Sequence, residues 1–127
     1  MSNYETLFNE ILALTRDEKL SWQQISRKDN AGIILNAHLV IRQFSTTYRR
    51  GHQVFTLLLL EKRHLYNEET SFMERLEGRR AELLILENEE LVISLREMPI
   101  KLARMMELMD LAIDQSDKVR RILGAPV

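Results

Sequence analysis

The stretch Ala81–Pro99, "AELLILENEELVISLREMP", holds two apolar runs separated by Glu87-Asn88-Glu89-Glu90. As one helix, Leu83, Leu84, Ile85, Leu86, Leu91, Val92, Ile93 and Leu95 would point all round the axis, and the polar residues would cut a full turn through its middle. As two strands folded about Asn88-Glu89 the pattern resolves, because Asn tolerates the left-handed backbone of a tight turn. In that register Leu86 faces Leu91 and Leu84 faces Ile93 on one side. Ile85 faces Val92 and Leu83 faces Ser94 on the other. A hairpin is expected, with both faces apolar near its turn. A sheet with one wet face alternates apolar and polar residues, so here each side needs a cover. A C-terminal helix supplies one; an N-terminal helix or a second copy of the chain supplies the other.

Upstream, "GIILNAHLVIRQFSTTY" (Gly32–Tyr48) and "HQVFTLLLLEKRHLY" (His52–Tyr66) are rich in β-branched and aromatic residues, which favours strands. The intervening "YRRG" offers Gly51 for the positive φ of a hairpin turn. At the N-terminus, Tyr4, Leu7, Phe8, Ile11 and Leu12 share one helical face. Ser2 and Glu5 fit a capping box there, and the helix is expected to end near Thr15. "RDEKLSWQQISRKDN" (Arg16–Asn30) loses the period and reads as a surface connection anchored by Leu20, Trp22 and Ile25. Ser71 and Glu74 form a second capping box and Gly78 a stop, which predicts a short helix around Phe72–Glu77.

"IKLARMMELMDLAIDQSDKVRRILG" predicts a helix over Ile100–Leu123, with Pro99 suited to its first turn and Gly124 to its end. Leu102, Met105, Met106, Met109, Ala112, Ile113, Val119 and Leu123 form its stripe, and Leu108 and Leu111 widen it. The expected fold is α+β and one domain over residues 1–127. It is an antiparallel sheet of about four strands in two hairpins, packed by the N-terminal helix and the long C-terminal helix.

Of the 127 residues, 45% are hydrophobic and 29% charged, the balance of a globular chain. The net charge of -1 gives no general attraction to nucleic acid or to an anionic membrane. The absence of cysteine excludes disulfides and thiolate chemistry, and points to the cytoplasm. "MSNYETLFNE" has neither the basic nor the apolar region of a signal peptide. The most apolar run, Val54–Leu60, falls far short of the about twenty residues a membrane helix needs.

No catalytic residue, metal site or cofactor motif is expected. His52 and His64 lie near opposite ends of one predicted strand, roughly 40 Å apart when extended, and His38 can approach at most one of them. No metal-binding spacing, nucleophile elbow or phosphate-cradling glycine loop occurs. Glu61, Glu68, Glu69, Glu87, Glu89 and Glu90 offer carboxylates, but a catalytic pair needs a shared desolvated pocket, and the last three fall on an exposed turn. Arginine pairs recur at Arg49-Arg50, Arg79-Arg80 and Arg120-Arg121. Tyr48, Arg49, Arg50 and His52 together form a candidate polar patch for a small molecule or single-stranded nucleic acid. Met73, Met98, Met105, Met106 and Met109 suggest either core filling or an adaptable contact surface.

The opening "LFNEILALTRDEKLSWQQI" resembles the start of various small uncharacterised bacterial proteins, in which a short helix runs into a Lys-x-x-Trp stretch. The layout of N-terminal helix, antiparallel strands and C-terminal helix is similar to small type III secretion chaperones. That resemblance implies a dimer holding an extended segment of a partner. The long first hairpin and the Trp-containing connection are not features of that family. The expected function is a non-enzymatic bacterial protein-interaction module that forms a homodimer. The residues expected at its contact are Met105, Met106, Leu108, Met109 and Leu111, supported by Val92 and Ile93. Burial of apolar surface, at about 25 cal/mol per Å², would supply the binding energy.

Overall fold

In the computed structural model, which describes residues 3–63, 79–95 and 100–122, the N-terminal periodicity folds as α1 (Asn3–Arg16). Phe8, Ile11, Leu12 and Thr15 form its buried face. The helix closes with Glu18 in the left-handed conformation at φ 59. There the Glu18 N–H donates to the Thr15 carbonyl (3.1 Å) and the Lys19 N–H to the Leu14 carbonyl (2.9 Å). This double closure satisfies carbonyls that the helix end would otherwise leave open.

The strands follow as β1 (Gln23–Ile25), β2 (Val40–Arg50), β3 (Gln53–Arg63), β4 (Arg79–Glu87) and β5 (Glu90–Leu95). They form one antiparallel sheet in sequence order. α2 (Leu102–Ile122) completes the described chain. The architecture is the expected α+β one, with five strands where about four were anticipated. β1 is the addition: Gln23–Ile25 pair with Ser45–Gln43 of β2, inside the segment that reads as a plain connection.

The first expected strand begins later than the sequence suggested. Gly32–Leu39 is not strand but turns and a short 3-10 helix at Ala37–Leu39, and β2 begins only at Val40. Asn30 and Asn36 adopt positive φ of 63 and 55, which breaks extension on either side of the apolar Ile33-Ile34-Leu35 run. The Ser2 partner of the first capping box, the predicted helix at Phe72–Glu77, and His64, Met73, Met98, Pro99, Leu123 and Gly124 lie outside the described residues.

Both turns fold as their residues dictate. Arg50 pairs with Gln53, and Gly51 takes φ +63. Asn88 and Glu89 have φ 52 and 67 between the paired Glu87 and Glu90, the two-residue geometry whose twist matches the flanking strands. The β4–β5 register is corrected beyond the first pair. Leu86 does face Leu91, but a bulge then makes Val92 the extra residue. Leu84 faces Ser94, Ile85 faces Ile93 and Leu83 faces Leu95. An uninterrupted register would have sent Ile93 and Leu95 to the opposite face.

The helix face of the sheet carries Phe44, Tyr48, Leu57, Leu59, Leu83, Ile85 and Leu95, packed against both helices. α1 and α2 share that face. The Arg16 guanidinium pairs with Glu107 across them, and Arg104 donates to Asn9. Trp22 is fully buried there. Its N–H donates to Gln115 Oε1 (2.8 Å) and its ring Nε1–H to Thr15 Oγ1 (3.1 Å). Gln115 Nε2 in turn donates to the Leu20 carbonyl (3.1 Å).

The opposite face is covered by the loop between β1 and β2. Ile34, with Ile25, Ile33 and Ala37 beside it, packs on Val40, Leu58, Leu60, Leu84 and Leu86. Buried Gln43 holds this loop: its Nε2 donates to the carbonyls of Ser26 (3.1 Å) and Asp29 (2.9 Å), and its Oε1 accepts from Asn30 (2.9 Å). Buried Lys62 donates to the Leu35 carbonyl and to both oxygens of Glu82, at 3.0 and 2.7 Å. The loop, not the N-terminal helix, is the cover seen on this side.

Two outcomes follow from this packing. Met109 is wholly inside, so Met109→Asp places an unpaired carboxylate in the core and abolishes the cooperative thermal transition seen by circular dichroism. Lys62→Met removes the ammonium that neutralises Glu82 and holds Leu35, at an expected cost on the order of 3 kcal/mol in urea unfolding. Adding Glu82→Leu recovers most of that loss.

Candidate interaction surface

The residues anticipated at a contact separate into two groups. Met105, Leu108 and Met109 have no exposed surface, Met106 very little, and Leu111 is half-buried. They fill the space between α2 and the helix face, because Leu57, Leu59, Leu83 and Ile85 require that cover. Val92 stands outside, 53% exposed, at the β5 bulge. Ile93, turned toward the helices by the bulge, is half-buried.

The polar patch also divides. Tyr48 faces inward against Phe55, ring centroids 6.2 Å apart, and is 2% exposed. Its hydroxyl is buried without a formed hydrogen bond to the described residues. Burial first, and the nearby Glu10 carboxylate second, push its pKa up to about 12, against a smaller lowering effect of Arg50. Arg49, Arg50 and His52 remain exposed around the turn. The aromatic ring that would stack on a base therefore lies on the other side of the strand from solvent. His38 is exposed beside the 3-10 turn. Glu61, far from a paired carboxylate, accepts both arms of Arg42 at 2.8 and 3.1 Å, and that hydrogen bonding holds Arg42 more firmly protonated.

What the geometry does bring together is a groove on the loop face, toward the hairpin tips. It encloses about 420 Å³ and is open to solvent. Ser45, Thr56, Leu58 and Leu86 form its floor, Ile25, Asn30 and Ile33 one wall, and Glu89 its far end. Val54 and Leu91, 46% and 44% exposed, stand on the same sheet face at its sides. The loop covers this face over Leu60 and Leu84 and stops short of Thr56. A smaller cavity of about 250 Å³ lies between α1 and the start of α2, bordered by Glu5, Phe8, Asn9, Ile100, Lys101 and Arg104.

Charge is arranged along the same end of the sheet. Thr56 pairs with Leu86, so Gln53 and Glu89 lie equally far beyond that row. The β2–β3 tip carries Arg49 and Arg50, and the β4–β5 tip carries Glu87, Glu89 and Glu90. Glu87 and Glu90 are directly opposed, a like-charge pairing that costs stability within a hairpin. No ion pair joins these side chains among the described residues.

A period-two signal for the groove was present in the sequence: Val54, Thr56 and Leu58 alternate onto one face of β3. The polar Thr between two apolar residues marks where that face stops needing a full cover. Among the described residues, no group of three or more His, Cys, Asp or Glu is placed to hold a metal ion. No described helix is long and apolar enough to cross a membrane. Comparison with protein-family models, with curated proteins and with solved structures finds no match to this chain.

The buried Tyr48 hydroxyl gives a test of this description. Tyr48→Phe removes a desolvated oxygen without a partner and is expected to stabilise the fold by about 1 kcal/mol. Because ionising the buried hydroxyl is disfavoured in the folded state, this group leaves stability unchanged below pH 10 and lowers it as pH climbs toward about 12. Melting temperatures across alkaline pH should fall for the parent chain over that window and fall less for Tyr48→Phe.

Proposed function

We propose that this chain is a non-enzymatic protein-interaction module of bacterial type that self-associates and presents the tip-end groove of its sheet to a protein partner. The observation that supports it most directly is a set of exposed apolar side chains at one end of the sheet. Leu58 and Leu86 floor an open groove, and Val54, Leu91 and Val92 project beside it. Surface of this kind, with a charged border, has the composition of a moderate-affinity protein contact. A groove beside an edge strand also suits an extended partner segment, as the layout resembling secretion chaperones implies. A cytoplasmic setting fits a chain without cysteine.

The contact differs in position from the methionine-rich stripe. Met105 and Met109 act from behind, by fixing the sheet on which the groove is built. The reading of the first hairpin as a nucleic-acid site loses its stacking ring, since Tyr48 is inside, and retains only Arg49, Arg50 and His52.

Leu91→Asp with Val92→Asp is expected to leave the circular dichroism spectrum unchanged and to reduce partner capture in affinity pull-downs by at least about tenfold, the loss of roughly 1.4 kcal/mol or more. Ile122→Asp, at an exposed apolar residue on α2, is the control and should capture normally. Equal capture by the parent chain and the double variant rules out this surface.

A further inference from the structure

From the distribution of charge over the sheet end, we infer that one occupant of this surface is a second copy of the chain, docked tip to tip about a two-fold axis. This deepens the proposed interaction function and rests on it. The β2–β3 tip is basic through Arg49 and Arg50, and the β4–β5 tip is acidic through Glu87, Glu89 and Glu90. The two hairpins lie two strand spacings apart, about 10 Å. Among the described residues no ion pair joins the two tips within one chain, and their separation exceeds the screening length at physiological salt, about 8 Å.

A surface with one positive and one negative half is complementary to itself only when a copy is turned by 180°. A two-fold axis between the tips places Arg49 and Arg50 of each chain against Glu87, Glu89 and Glu90 of the other, twice over. Closed two-fold contacts repeat every pairing in this way. The directly opposed Glu87 and Glu90, unfavourable in the lone hairpin, then gain cations. Val54 stands beside the basic tip, and Leu91 and Val92 beside the acidic one, all about half exposed. A contact limited to hairpin tips buries less than the roughly 1,200 Å² of a standard interface, so the dimer is weak and its strength depends on ionic strength.

Sedimentation velocity of the full chain over a concentration series, at low and high salt, tests this. A monomer–dimer equilibrium that weakens at least tenfold between the two salts supports it. So does a charge exchange: Arg49→Glu with Arg50→Glu, and separately Glu89→Arg with Glu90→Arg, should each be monomeric alone and form a heterodimer when mixed. A parent chain that stays monomeric at all concentrations, a dimer indifferent to salt, or variants that fail to pair when mixed overturns the inference. The salt series needs no variant, so a misfolded mutant cannot shield the proposal. A monomeric parent whose pull-down still depends on Leu91 and Val92 defeats the dimer alone. A salt-sensitive dimer with unaltered pull-downs defeats the wider reading alone.

Discussion

Two consecutive blocks of apolar residues, Leu57–Leu60 on β3 and Leu83–Leu86 on β4, govern this fold. Successive strand residues point to opposite faces, so each block makes both sides of the sheet centre hydrophobic. All eight side chains are buried. A single cover cannot achieve that. Helices α1 and α2 occupy one side, and among the described residues the loop before β2 covers the other. A helix satisfies its own backbone; a loop does not, and its carbonyls need donors from the surface it covers. That is why Gln43 and Lys62 sit buried on this face, each donating to loop carbonyls. The polar residues are the requirement of using irregular chain as a lid.

The sequence made the need for two covers plain and mistook the second one. Asn88 marked its turn because few residues accept positive φ there, and Gly51 did the same for the first hairpin. The helices were legible because apolar residues at spacings of three and four have few other uses. Ile33-Ile34-Leu35, however, has strand composition and lies in a loop. What places it there is tertiary: Ile34 is buried against Leu58 and Leu84, while Asn30 and Asn36 turn the chain at either end. β1 is short and mostly exposed, and it exists through pairing with β2 rather than through its own pattern. The candidate surface was partly legible, since Val92, Arg49, Arg50 and His52 do lie at the exposed end. The methionines were ambiguous because core filling and partner contact demand the same residue.

The bulge at Val92 shows how one residue redistributes a surface. Without it, alternation would carry Leu91, Ile93 and Leu95 to the loop face together, and the helix face would receive Val92 and Ser94. With it, Leu91 stays on the loop face while Ile93 and Leu95 join the helix-side core. β2 uses the same device at Ile41, which is extruded so that Val40 and Arg42 serve opposite faces. Both extra residues are exposed. A bulge also interrupts an edge ladder, so β5 offers little uninterrupted backbone to a pairing strand. Any recognition proposed at this end would then rest on side chains, among them the charged tips and exposed Val54, Leu91 and Val92.

The open groove has a cause in how the loop face changes along the strands. Toward the far end it presents Val40, Leu60 and Leu84, which demand exclusion of water. Toward the tips it presents Ser45, Thr47 and Thr56, whose hydroxyls tolerate it. The loop is held by Gln43 and Lys62 over the demanding part. Leu58 and Leu86 lie on the boundary, buried at their sides yet forming the groove floor. A face that is apolar enough to reward contact and polar enough to survive without one meets the condition for a reversible interface. A wholly apolar end would have forced permanent association, and a wholly polar one would have nothing to gain by docking. Under the proposed reading, the hydroxyl-bearing rows between Val54 and Leu91 would set the strength of association, while Arg49, Arg50 and the three tip glutamates would set its geometry.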